Sequence, residues 1–152
     1  MIYCKYGCPP SFNEKPQNKI ENITISVSVA ELFDKVSILE IKLEKIVDSN
    51  KLKEVENELN ILKDTFNKYN NTKESQLLFN KIKEVNKQLW EIEDKIRIKH
   101  RLSQFDEKFI ELAKGVYFTN DMRFEVKNEI NLLFGSNIKE VKSYEEYKKK
   151  SE

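Results

Sequence analysis

The chain has 152 residues, enough for one domain with a substantial core, and its 27 basic and 26 acidic side chains leave a formal charge of +1. That balance gives no long-range attraction to polyphosphate, so nucleic acid is not an expected partner. Three glycines and three prolines leave little material for a β-rich fold, and no apolar run nears the roughly 20 residues that a bilayer requires, so no membrane partner is expected.

Residues 1–22 carry Pro9, Pro10 and Pro16 among polar neighbours and read as an irregular N-terminal arm. Met1 to Pro10 lacks the basic start and apolar segment of a signal peptide, so a cytoplasmic chain is the expectation. Cys4 and Cys8 are too few for structural zinc, which takes about four ligands, and the sole histidine, His100, lies far off in sequence. Reduced thiols on the arm are expected.

Ile23, Ile25 and Val27 alternate with Thr24 and Ser26 and predict a short extended segment. Ser28, with Glu31 three residues later, forms a capping box that starts the first helix near Val29. Leu32, Val36, Leu39, Leu43 and Ile46 then recur at spacings of four and three, which places them on one helical face. Asp48-Ser49-Asn50 interrupts this stripe. A second stripe, Leu52, Val55, Leu59, Leu62, Phe66 and Tyr69, ends at Asn70-Asn71-Thr72, whose side chains compete for backbone hydrogen bonds. The third, Leu78, Ile82, Val85, Leu89, Ile92 and Ile96, predicts a helix from about Lys73 to Arg101, some 43 Å at about 1.5 Å per residue.

Ser103, with Asp106 in the first turn, is expected to cap a fourth helix holding Phe105, Phe109, Leu112, Ala113 and Val116. Thr119-Asn120-Asp121 reads as another break, before a fifth helix that carries Met122, Val126, Ile130 and Leu133 and stops at Gly135. Residues 138–143 are expected to be extended and able to pair with 23–27, and 144–152 form a polar tail. Residues 23–143 thus predict an all-α domain, an antiparallel bundle of four to five helices with coiled-coil-like packing and room for a short two-stranded accessory ribbon. Phe105, Phe109, Tyr117, Phe118, Phe124 and Phe134 make the C-terminal half bulky, so the region of the third, fourth and fifth helices is expected to form the densest core, with Trp90 expected to fill core as well.

Packing does not require the polar set beside the stripes. Lys35, Lys42, Arg97, Arg123 and Lys127 are candidate anion contacts, since guanidinium and ammonium groups gathered in one pocket would hold a carboxylate or phosphate. Glu31, Asp34, Asp94 and Asp121 are candidate metal ligands or general bases. Glu31/Asp34 and Glu91/Asp94 share an E-x-x-D spacing that projects both acids from one helical face. Against this stands a plainer structural reading: alternating charges on a helix form solvated intrahelical pairs worth a few tenths of a kcal/mol each. A Gly-rich phosphate loop, a G-x-S-x-G element and a Glu-x-x-His di-iron motif are all missing.

Three segments carry a resemblance. They are Ser26 to Ile46 (SVSVAELFDKVSILEIKLEKI), Leu89 to Arg97 (LWEIEDKIR), and the run from Phe105 to Ala113 (FDEKFIELA) continued by Val116 to Arg123 (VYFTNDMR) and Lys127 to Asn131 (KNEIN). Together, in this order over roughly residues 23–147, they resemble a small uncharacterised all-helical family found in bacterial and viral genomes. The resemblance implies a helical fold and no established activity, so it assigns no catalytic residue. An association of some bacterial relatives with glycosyltransferases and surface polysaccharide synthesis hints at sugar or nucleotide-sugar metabolism.

The leading expectation is a non-catalytic binding or assembly module, with self-association through helix faces as a homodimer. The alternative is an enzyme or sensor for an anionic small molecule, a nucleotide or nucleotide sugar, with dependence on a divalent metal.

Overall fold

Four helices account for the regular structure of the described residues. A computed structural model describes residues 23–144; the N-terminal arm with Cys4 and Cys8, and the tail beyond Tyr144, lie outside the described residues. The helices are α1 (Val29–Lys45), α2 (Ser49–Tyr69), α3 (Lys73–Arg101) and α4 (Glu107–Leu133).

Each helix starts on a side chain that accepts an otherwise orphaned amide. Ser28 Oγ takes the Glu31 N–H at 3.3 Å, and Asp48 Oδ1 takes those of Asn50 and Lys51 at 2.9 and 3.0 Å. Thr72 and Ser75 cap each other reciprocally at the start of α3. The cap of α4 is Asp106, which accepts from the Phe109 amide at 3.0 Å. Ser103 does not cap it: with φ +54 it closes the C-terminus of α3, where its own N–H reaches the His100 carbonyl and the Gln104 N–H reaches that of Lys99. The same left-handed closure ends α4 at Gly135, φ +59, as the sequence predicts.

α1 packs against all three other helices. Phe33 is completely buried and meets the rings of Phe66 from α2, Phe79 from α3 and Phe134 beyond α4, at centroid distances of 5.2, 5.8 and 5.8 Å. Ala30, Ser37 and Ile41 are buried with it, next to the predicted stripe of Leu32, Val36 and Leu39. A helix surrounded on three sides buries more than one stripe, which is why the 4–3 spacing alone omitted Phe33.

Three expectations fail. The fifth helix does not exist as a separate element, because α4 runs without interruption through Thr119-Asn120-Asp121. Thr119 is buried there, Asn120 Nδ2 donates back to the Val116 carbonyl at 3.0 Å, and Asn120 Oδ1 accepts from Arg123 at 2.8 Å, so the expected breakers are satisfied along the helix. No strand occurs among the described residues; Ile23 and Ile25 point into solvent, and the 138–143 segment lies against α4 instead. Finally, the densest core is centred on Phe33, and Phe105, Tyr117 and Phe118 of the C-terminal half are exposed, while Trp90 is only half-buried.

α3 and α4 outrun the rest. At 29 and 27 residues against 17 for α1, they extend beyond it. Their pairing runs from Lys81–Glu129 through Ile92, which lies against Gly115, to Lys99–Asp106. Between residues 87 and 118 no side chain is buried.

Candidate functional site

The N-terminus of α1 docks on the C-terminal half of α4 through polar side chains. Asn131, itself buried, accepts the Ala30 amide at 3.3 Å and so caps α1 from another helix. One turn earlier, the Lys127 side chain is 9% exposed, and its Nζ lies 2.6 Å from both Glu31 Oε1 and Glu140 Oε2. The reciprocal half of the expected capping box is not made: Glu31 gives its amide to Ser28, but its carboxylate goes to Lys127 and ties α1 to α4.

Glu140 comes from the segment after α4, which turns back along that helix at Gly135. Lys142, two residues on, donates to the Asn120 carbonyl at 3.2 Å, lies 3.6 Å from Asp121 Oδ1 and sits 4.8 Å from the centre of the Phe124 ring. Alternation explains the arrangement. Glu140 and Lys142 both turn to α4, Lys142 also lies 5.8 Å from the centre of the Tyr144 ring, and Val141 between them faces water.

Charge and burial oppose each other in this cluster. Burial pulls the Lys127 ammonium down, but its hydrogen bonds to Glu140 and Glu31 outweigh that and leave it above the ordinary lysine value. The Lys127 hydrogen bond holds the Glu140 carboxyl below the ordinary carboxylate range, against a smaller opposing effect of burial.

A second polar seam joins α1 to α3. Asn86 Nδ2 donates to Asp34 Oδ1 at 2.7 Å and to Ser37 Oγ at 2.8 Å, while Asn86 Oδ1 is buried with no partner among the described residues. Further along, Lys83 reaches Glu40 at 2.6 Å and Glu44 at 3.0 Å, and Lys87 reaches Glu44 at 2.9 Å. Lys83 is desolvated, yet hydrogen bonds to the two glutamates raise it above the ordinary lysine value.

The candidate residues thus divide between locations. Arg123, Lys127, Glu31 and Asp121 share the α4 cluster. Asp34 turns to Asn86, and its neighbour Lys35 turns the other way, to Glu58 of α2 at 2.7 Å. Arg97 pairs with Glu93 on its own helix. Lys42 is half-buried in the last turn of α1, and Asp94 is exposed on α3; neither forms an ion pair with another described residue. Among the described residues no three His, Cys, Asp or Glu side chains converge as a metal-holding group.

Asn86, Asn131, Glu140 and Lys142 are the participants that sequence reasoning passed over. Asn86 and Asn131 carried one signal: asparagine is a poor helix-interior residue, so its presence beside an apolar stripe suggests a buried bonding role. Glu140 and Lys142 carried none, because their partners are set by a chain reversal.

A family model matches residues 23–150, a span that begins just before α1 and includes every helix; it describes a family of unknown function, DUF6165. The chain belongs to this family. No curated protein and no solved structure matches it. Membership in DUF6165 carries no activity with it, so function rests on the geometry. None of the described helices is long and apolar enough to cross a membrane.

Proposed function

We propose that this DUF6165 member is a non-catalytic binding or assembly module of the cytoplasm, and that its contact surface is the outer half of α3 and α4. One observation carries the reading: from residue 87 to 118 this helix pair buries no side chain, yet it presents Ile98, Leu102, Phe105 and Ile110 at least 47% exposed. α4 here bears apolar residues around much of its circumference, and α3 covers only one side of it. A helix of that composition is ordinarily covered on more than one side. Large side chains left open together mark interaction surfaces.

A second reading draws on the cluster beside α1, where Arg123, Lys127 and Lys142 gather along α4. Three cations there could take an anionic small molecule such as a nucleotide or nucleotide sugar. In the present arrangement Glu31, Glu140 and Asp121 already oppose Lys127 and Lys142. An added anion would have to displace them, so this reading ranks second.

Thermal-shift measurements with nucleotides, nucleotide sugars and divalent cations separate the two. A ligand at 100 times its dissociation constant adds about 2.7 kcal/mol to stability and raises the melting temperature visibly. The binding-module reading expects a flat screen. A shift that disappears in Arg123→Ala would overturn it in favour of the small-molecule site.

A further inference from the structure

We infer that the outer face of α3 pairs with the same face of a second copy of this chain running in the opposite direction. This rests on the binding-module reading above and names its partner.

Ile98 lies four residues after Asp94, three after Lys95, three before Arg101 and four before Leu102, and Glu91 lies three before Asp94 and four before Lys95, so the six share one strip of α3. All six are exposed. The strip lies away from α4, because Ile92, on a different side of α3, is the residue that meets Gly115. Several neighbouring charges pair within the chain: Glu93 with Arg97, Lys99 with Asp106, and Lys108 with Glu111. None of Glu91, Asp94, Lys95 and Arg101 forms an ion pair with another described residue.

The order of these charges decides the partner. Acids come first and bases follow, so the strip is electrostatically complementary to its own reverse. A copy running parallel would set Glu91 and Asp94 against the same two acids, which is repulsive. A copy turned by a two-fold axis near residue 96 sets Glu91 opposite the second copy's Arg101 and brings Asp94 within reach of its Lys95. The two Ile98 side chains then lie about one helical turn, roughly 6 Å, apart along the axis. Such a contact is isologous, each patch meeting itself, which is the form most soluble homo-oligomers take. Exposed ion pairs contribute little affinity each, so their role is to select the partner and its direction. Ile98 and Leu102 supply the apolar area. A formal charge of +1 on the whole chain leaves little general repulsion between copies.

Sedimentation equilibrium of the full chain over a wide concentration range tests this directly. The wild type should follow a monomer–dimer equilibrium. Ile98→Lys should weaken it at least tenfold while leaving the melting temperature of the monomer nearly unchanged. Two charge-reversed chains sharpen the test: Glu91→Lys with Asp94→Lys, and Lys95→Glu with Arg101→Glu. Each alone should be monomeric. Mixed in equal amounts they should form a heterodimer, weakened by added salt. A wild type that stays monomeric throughout overturns the second copy as partner, with the module reading intact. So does a dimer that neither charge reversal affects. If Ile98→Lys instead unfolds the chain, Ile98 belongs to the core, and both this inference and the module reading fall.

Discussion

The two ends of the α3–α4 pair share the same helices and differ in what covers them. At one end, residues 75–86 of α3 and 119–131 of α4 meet α1 and bury Phe79, Ile82, Val85, Val126 and Ile130. At the other end, residues 87–118 bury no side chain, although Lys87 reaches Glu44 of α1, and side chains of equal hydrophobicity stay half-exposed. The difference teaches that apolar periodicity reports a helix and its preferred face without reporting whether anything occupies that face. Local stability should divide accordingly, since segments with few buried apolar contacts open first.

The contrast can be broken most forcefully at its inner end. Phe33→Ala removes the ring at the centre of three others and should cost about 3–5 kcal/mol, read as a lowered denaturant midpoint. An unchanged midpoint would mean that the core is centred elsewhere. Asn131→Leu leaves the Ala30 amide without its acceptor and should cost about 1–3 kcal/mol, with hydrogen exchange accelerated at the start of α1 before elsewhere.

A smaller effect concerns pH. Glu140 is held below the ordinary carboxylate range by Lys127, so its contribution is complete above the unfolded-state value and is lost as pH falls through the folded one. Lys127 is held above the ordinary lysine value, so its contribution is complete at neutral pH and is lost as pH rises through its folded value. Urea midpoints measured from neutral pH downward should fall less steeply in Glu140→Gln than in the wild type. Parallel acid limbs would detach Glu140 from stability.

Smaller still is the strain at the tip of the outer end. Ser103 holds φ +54, a conformation that glycine adopts at lower cost, and Ser103→Gly should stabilise by about 0.5 kcal/mol. Ile110→Ala, on the exposed side of α4, should change the monomer's stability by less than about 0.5 kcal/mol. A loss of several kcal/mol there would erase the distinction between the two ends.

Much of this was legible in the chain itself. Ser28 fixed the start of α1 at Val29, Asn70-Asn71-Thr72 separated α2 from α3, and Gly135 marked the end of α4, because caps and turns act through neighbours in sequence. The break expected at Thr119-Asn120-Asp121 was wrong for a related reason. The same side chains that can stop a helix can also bond along it, and burial of Thr119 decides which. Of the polar candidates, Lys127 and Glu31 do meet, while Asp34 and Lys35, adjacent in sequence, go to different helices.

The sequence by itself determined that this is an all-helical chain, where its helices begin and end for the most part, and which stripe each one offers. Tertiary structure alone decided that Phe33 is the centre, that Lys127 is shared by Glu31 and Glu140, and that the outer half of α3 and α4 buries none of its side chains. The physical reason is range. Periodicity and capping depend on residues three or four apart, whereas Ala30 meets Asn131 across 101 positions, a pairing that only the packing of whole helices can choose.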